Sequence, residues 1–396
     1  MRIAFYAPLK PPTHITPSGD RRVARLLMEA LRTAGHEVTL VSEFRSYEGK
    51  GDSARQAEIR DQGSAIAHGL LDQWRAAGAH TGPELWFTYH LYYKAPDWLG
   101  PAVSKALVIP YAVAEASYAA KRADGAWAAG HAAISAAIQA AALLLCPTRD
   151  DVEGLQQVAA VHTQLVRLPP FLDPTPYRTA AQTRAQQRTH LSKVHGLDTR
   201  QTWLLVVAMM RSGDKLASYR QLAQALAKLS DVPWQILVAG DGQARAEVHR
   251  LLEGAARGRA RFLGPCDADS LAKVYAACDI CIWPAVNEAY GMAMLEAQAA
   301  GIPVVGCAVR GVPDVVRDGE TGLLAAPGDT AGLAKIAREL IVDVAKREAM
   351  GRAAARFVLE ERSVLQAANQ LNLAFNRLRK PATSAGTSPL CVGGSA

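Results

Sequence analysis

The stretch Trp283-Pro284-Ala285-Val286-Asn287-Glu288-Ala289-Tyr290-Gly291-Met292-Ala293-Met294-Leu295-Glu296-Ala297-Gln298-Ala299-Ala300-Gly301-Ile302-Pro303-Val304-Val305 decides how this chain folds. An apolar run ends at Trp283-Pro284, a loop follows, and the pattern predicts a helix that starts near Gly291 and stops at Gly301 before the next apolar run. Strand, loop, helix and strand in such close order belong to a parallel sheet. The loop leaves the carboxyl edge of that sheet, where ligands of open α/β sheets bind. Glu288 lies on this loop, and the amides of Gly291 and Met292 open a helix N-terminus suited to a phosphate. Compensation of the helix dipole is the competing reading for Glu288. Glu296 sits inside the helix between Leu295 and Ala297, so its carboxylate needs buried donors, which ribose hydroxyls would supply.

Upstream, Met210-Arg211-Ser212-Gly213-Asp214-Lys215 follows the apolar run Trp203–Met209. Two cations four residues apart in a glycine-containing loop at a strand end can converge on a diphosphate, and the shared sheet edge with Glu288 favours this over mere solvation. Further runs at Trp234–Ala239, Ala260–Leu263, Ile280–Trp283 and Pro303–Gly306 complete a second βα series. The first half holds its own series, at Arg2–Ala7, Glu37–Val41, Leu85–Tyr89, Leu107–Ala112, Leu143–Cys146 and Thr163–Leu168. Between its first two strands, Val23, Leu26, Leu27, Ala30, Leu31 and Ala34 share one helix face, and Gly35 ends the helix. Thr148, followed by Asp150 and Asp151, predicts a helix N-cap.

Composition changes at Pro169-Pro170-Phe171-Leu172-Asp173-Pro174, and residues 174–200 carry little apolar periodicity. The fold class is therefore α/β, two Rossmann-like lobes with parallel sheets facing a cleft. Residues 1–172 form the first lobe, 173–200 a linker and 201–354 the second lobe. A helical segment, 355–380, returns to the first lobe, and a Ser/Gly/Thr/Pro-rich tail, 381–396, is expected to be disordered. A hinge is expected near Pro169–Asp173, with a second crossing at 355–380.

The chain has 396 residues and a net charge of +7, distributed as +1, +3 and +3 over residues 1–172, 173–200 and 201–396. So even a spread gives no nucleic-acid stripe. The first helix, however, carries Arg21, Arg22, Arg25 and Arg32, which suggests peripheral contact with an anionic membrane, solvation being the alternative. The N-terminus reads as a strand and not a signal peptide, and the alanine-rich stretch His131–Cys146 is too short to span a bilayer, so a cytoplasmic location is expected. The six cysteines read as reduced thiols, and Cys278 and Cys281 as buried strand positions with no second ligand pair.

Glu288 and Glu296 with seven residues between them, then Ala299-Ala300-Gly301-Ile302-Pro303-Val304-Val305, Gly311-Val312-Pro313-Asp314-Val315-Val316 and Asp318-Gly319-Glu320-Thr321-Gly322-Leu323-Leu324, closely resemble the family 4 retaining glycosyltransferases of the GT-B fold. Gly35-His36-Glu37-Val38, Ala239-Gly240-Asp241-Gly242, Phe262-Leu263-Gly264 and Asp279-Ile280 are similar to further landmarks of that family. The resemblance implies transfer of a sugar from a nucleoside-diphosphate sugar, a UDP- or GDP-sugar, with retention, no metal and no cofactor. It implies that Glu296 binds the ribose and Glu288 the sugar hydroxyls. Gly291 and Met292 would face the sugar and phosphate, Arg211 and Lys215 the leaving diphosphate, and the Gly19, Gly240 and Leu263 loops the rest of the donor. The acceptor is open, a glycan or a lipid-linked sugar being the classes in view. Two departures lie in the first lobe. The family's two-glycine loop reads Pro17-Ser18-Gly19-Asp20, and Glu115 stands where a histidine is usual, while His90 ends a strand nearby. His90 and Glu115 are therefore the first-lobe catalytic candidates. A nucleotide-sugar epimerase or phosphorylase on the same fold, or a non-catalytic nucleotide-sugar scaffold, are the rival readings. A NAD-dependent dehydrogenase is disfavoured, because neither lobe opens with G-x-G-x-x-G.

Overall fold

A computed structural model of the chain describes residues 1–16, 18–78 and 81–379. The first lobe holds six parallel strands: β1 (Arg2–Tyr6), β2 (Glu37–Ser42), β3 (Leu85–Leu91), β4 (Tyr111–Ala116), β5 (Leu143–Cys146) and β6 (Gln164–Arg167), in the order β2-β1-β3-β4-β5-β6. The second holds β7 (Thr202–Val207), β8 (Trp234–Ala239), β9 (Ala260–Gly264), β10 (Ile280–Trp283), β11 (Val304–Cys307) and β12 (Gly322–Ala325), in the order β12-β11-β10-β7-β8-β9. Each order reverses next to its first strand, and the loops at the carboxyl edges there are where a ligand would lie.

Both faces of each sheet are covered, so alternate residues enter different cores. In the first lobe Phe5, Phe87, Tyr89 and Leu145 pack with the helix Gly19–Thr33, while Tyr6, Trp86, Val113 and Leu144 share a second core with Ile134 and Ile138 of the helix Ala128–Ala140. The helix Gly19–Thr33 begins where Ser18 accepts the amide of Arg21 (3.2 Å), and its apolar stripe is buried at Leu26, Leu27, Ala30 and Leu31. Thr148 and Asp151 form a reciprocal capping box at the helix Arg149–Gln156. Cys278 and Cys281 are buried, and burial pushes the Cys281 thiol up to about 12, as expected of core positions.

Three expectations are corrected. The strand expected at Leu107–Ala112 is displaced: Gly100–Leu107 is helical, and β4 starts only at Tyr111 and runs to Ala116. Buried Asp97 nucleates that helix by accepting the amides of Leu99 (2.9 Å) and Gly100 (2.8 Å), and Pro110 stops the chain from continuing it. Residues 173–200 are not a bare linker but two helices, Thr175–Gln182 and Arg184–His195, packed on the helix Ala268–Ala277. The first is held by buried Tyr177 and Ala180, with the Tyr177 ring edge-on to Tyr275 (5.8 Å), and the second by charge: Arg184 (2.6 Å) and Arg188 (3.0 Å) both pair with Asp279. The boundary at 354/355 falls inside the helix Val344–Glu361 of the second lobe. The returning segment is Val364–Arg379, packed on the helix Gly19–Thr33. The arginines of the first helix are tethered one by one. Arg21 and Arg25 donate to the carbonyls of His14 (2.7 Å) and Pro12 (2.7 Å), Arg32 to Val38 (3.2 Å), and Arg22 turns to the second lobe. The tail 381–396 lies outside the described residues. No helix among the described residues is long and apolar enough to cross a membrane.

The two crossings between lobes meet. Leu172 accepts from the Val364 amide (3.0 Å) and donates to the Arg362 carbonyl (2.9 Å), so one parallel bridge joins both connections.

Gly240 (φ +139°) follows β8, and an added Cβ there would lie 2.0 Å from the Ala208 carbonyl oxygen that follows β7. Gly240→Ala is therefore expected to destabilise the second lobe by about 2–4 kcal/mol from combined strain and overpacking. Urea unfolding checks this, and an unchanged midpoint would show that the strand ends can separate.

Candidate active site

The loop between β10 and the helix Met292–Ala299 is held open by left-handed backbone at Ala285 (φ 61°), Asn287 (φ 52°) and Gly291 (φ 73°). Side chains of the helix Asp214–Leu226 brace it: the Val286 amide donates to Ser218 Oγ (2.9 Å), and Asn287 donates to Asp214 (2.8 Å). This brace brings Lys215 to Glu288, where Nζ and Oε2 form an ion pair with both groups partly exposed. The ammonium also sits 5.6 Å from the Trp283 ring centre. Arg211 is exposed and makes no hydrogen bond or ion pair, leaving its charge available to a ligand. No side chain caps the helix Met292–Ala299, so the amides of Met292 and Ala293 remain as free donors at this edge. Gly240 and Leu263 lie at the same edge, where the Gly240 amide donates to the Gly264 carbonyl (2.8 Å). Gly19 opens the first helix with free space where a Cβ would point.

Glu296 is 3% exposed. Its partner is Arg22 of the first lobe, ion-paired to Oε1, and Arg22 also donates to Tyr177 Oη (2.8 Å). Burial pushes the Glu296 carboxyl up, opposed by Arg22 and by the hydroxyls of Tyr275 and Tyr177. An arginine from the opposite lobe thus serves the carboxylate that the sequence assigns to ribose.

The first-lobe candidates come together. His90 Nδ1 lies 3.0 Å from Asp20 and 3.8 Å from Glu115, and Tyr290 of the second lobe donates to Glu115 (3.0 Å). His90 (φ 62°) and Glu115 (φ 60°) both adopt left-handed backbone, a strain that persists only where surroundings enforce it. Asp20, next to Gly19 at the start of the first helix, thus lies beside His90. Arg22 and Tyr290 escaped the sequence reading because helical periodicity placed Arg22 on an outer face and nothing local marks a cross-lobe tyrosine. Between the lobes remains a cavity of about 40 Å³, lined in part by Leu27, Tyr89, Glu115, Phe171, Tyr290 and Met292.

Burial alone would lower the His90 pKa, but Glu115 and Asp20 outweigh it and hold the imidazolium above its ordinary 6.5. Its contribution to stability is therefore present below pH 6.5 and lost as pH rises through the raised value. The melting temperature of the parent chain should exceed that of His90→Asn at pH 6, with the gap narrowing by pH 9. A gap independent of pH would mean that His90 is neutral in the fold.

Residues 201–343 match the family described as "Glycosyl transferases group 1". The chain is 31% identical over 175 residues to N-acetyl-alpha-D-glucosaminyl L-malate synthase of Bacillus anthracis, covering 44% of this chain and 45% of that one. It is 42% identical over 96 residues to D-inositol 3-phosphate glycosyltransferase of Streptomyces avermitilis, covering 24% and 21%. These alignments span less than half the length of either relative. Over whole chains the fold is similar to sucrose-phosphate synthase of Thermosynechococcus elongatus, with TM-score 0.70, 20% identity and coverage of 95% and 98%. It is also similar to Anabaena HepE in complex with UDP, with TM-score 0.72, 16% identity and coverage of 95% and 100%. Landmark residues, two parallel sheets and these likenesses agree: the whole chain has the GT-B fold, and its second lobe matches the glycosyl transferases group 1 family over residues 201–343.

Proposed function

We propose that the chain moves a sugar from a nucleoside-diphosphate sugar to an acceptor hydroxyl with retention of anomeric configuration. The observation that carries this reading is the Lys215–Glu288 pair set beside free helix amides at one sheet edge. A departing diphosphate gathers negative charge while the anomeric carbon gains positive charge, so a cation and a carboxylate are needed side by side. Arg211, Lys215 and the amides of Met292 and Ala293 would receive the diphosphate, making a metal unnecessary in this scheme. Glu288 would hold sugar hydroxyls, and Glu296 the ribose. Solved neighbours of this fold carry UDP or UDP-glucose, which supports a nucleotide-sugar donor. Retention would follow from attack on the face the diphosphate leaves, with its oxygen taking the acceptor proton. His90, flanked by Asp20 and Glu115, would orient the sugar from the first lobe.

The test is incubation with UDP-glucose and GDP-mannose plus a panel of sugar acceptors, read by mass spectrometry and by anomeric proton couplings. Transfer with the donor's own anomeric configuration is expected. An isomerised donor or free sugar 1-phosphate as sole product would favour the epimerase or phosphorylase reading, and an inverted linkage would refute retention.

A further inference from the structure

Beyond the donor site, the loops that leave β2, β3 and β4 carry a connected group of aromatic rings and cations. From His90 the rings run outward: Tyr92 at 5.2 Å, Tyr93 a further 5.5 Å and Trp127 a further 5.4 Å, centre to centre. Three cations lie on rings of these loops: Arg45 on Tyr47 (5.6 Å), Lys94 on Trp127 (4.9 Å) and Arg122 on Tyr93 (5.1 Å). The Glu48 amide donates to the Lys94 carbonyl (2.9 Å), tying the loops after β2 and β3 together, and Arg45 Nε donates to the Leu9 carbonyl (3.0 Å) of the loop after β1.

None of these three cations has a carboxylate partner, whereas Arg22, Arg167, Arg184, Arg188, Arg317 and Arg338 all do. The nearby acids are committed elsewhere or stand apart. Glu48 accepts the amides of Lys50 (2.6 Å), Gly51 (2.6 Å) and Asp52 (3.1 Å), Asp20 is held by His90, and exposed Glu43 and Asp124 pair with no cation. Cations gathered without counter-charge raise the local positive potential, and seating them on rings limits the side-chain freedom an anion would otherwise have to freeze. Aromatic faces beside them suit the C–H face of a sugar or polyol ring.

We propose that this rim is the acceptor platform and takes a carbohydrate or polyol bearing an anionic group, a phosphate or a carboxylate, with Lys94 and Arg122 as its charge ligands. The proposal rests on the glycosyltransferase reading above and names the acceptor class for the same site.

Ligand-observed NMR on the full chain, at about 50 mM salt with UDP or GDP present, would compare glucose 6-phosphate, glucuronate and glucose. At least one charged sugar should bind tenfold or more tightly than glucose, and which one does so separates phosphate from carboxylate. The Lys94→Ala/Arg122→Ala variant should lose about tenfold of that affinity, and Lys94→Arg/Arg122→Lys should keep it, which separates lost charge from lost fold. Equal binding of all three sugars, or full retention in the alanine variant, would overturn the proposal and leave the cations as surface charge on rings. Nucleotide affinity, measured alongside by calorimetry, should be the same in every variant. Its absence from the parent chain would count against the donor reading, while a surviving preference for a charged sugar would still uphold the platform.

Discussion

Glu288→Gln is expected to lower kcat by about 10²–10³-fold, the cost of removing one preorganised charge that faces developing charge in the transition state. The substitution keeps the shape of the side chain and removes its charge. Affinity for the bare nucleoside diphosphate should hold steady, because the nucleotide lacks the sugar that Glu288 faces. Lys215, released from its carboxylate partner, remains free to meet the diphosphate. Loss of turnover without loss of nucleotide affinity is the pattern of an interaction made only in the transition state. Full turnover by this variant, with a matched donor, would remove Glu288 from the mechanism.

Glu296→Gln is expected to act the other way, raising the donor KM by roughly 10–100-fold, about 1.5–3 kcal/mol for hydrogen bonds to a buried charge, with a smaller change in kcat. The structure adds a second consequence. Glu296 carries the cross-lobe contact to Arg22, so the variant should also loosen the pairing of the lobes. Arg22→Ala separates the two roles, since it breaks the bridge while leaving the carboxylate for ribose. It should keep nucleotide binding and increase the radius of gyration of the nucleotide-free chain in small-angle scattering. If Arg22→Ala abolishes nucleotide binding as completely as Glu296→Gln does, Arg22 belongs to the nucleotide site itself.

The second lobe was largely legible in the sequence because its chemistry is local. Trp283 to Val305 encodes strand, loop, helix and strand in one run, and the structure places β10, the helix Met292–Ala299 and β11 accordingly. Lys215 and Glu288, 73 residues apart, could be paired by reasoning that both follow strands at one sheet edge. The first lobe was less legible because its contacts are long-range or run against local propensity. Buried Asp97 sets up the helix Gly100–Leu107, so the strand that the apolar pattern began at Leu107 starts instead at Tyr111. The helix Thr175–Gln182 buries only Tyr177 and Ala180 and the helix Arg184–His195 only Leu191, and Asp279, nearly 100 residues on, supplies the charge that docks the second of them. Arg22 looked like one of four surface arginines until tertiary structure put it 274 residues away on Glu296. Such pairs leave no periodic mark, so the site was visible by lobe but not across the cleft.

Calorimetric titration of UDP and of GDP into the parent chain and into Glu296→Gln tests the central claim most directly. One of the two nucleotides should bind the parent at a single site and bind Glu296→Gln at least tenfold more weakly. Failure of both nucleotides to bind the parent, or equal binding to the two chains, would contradict it.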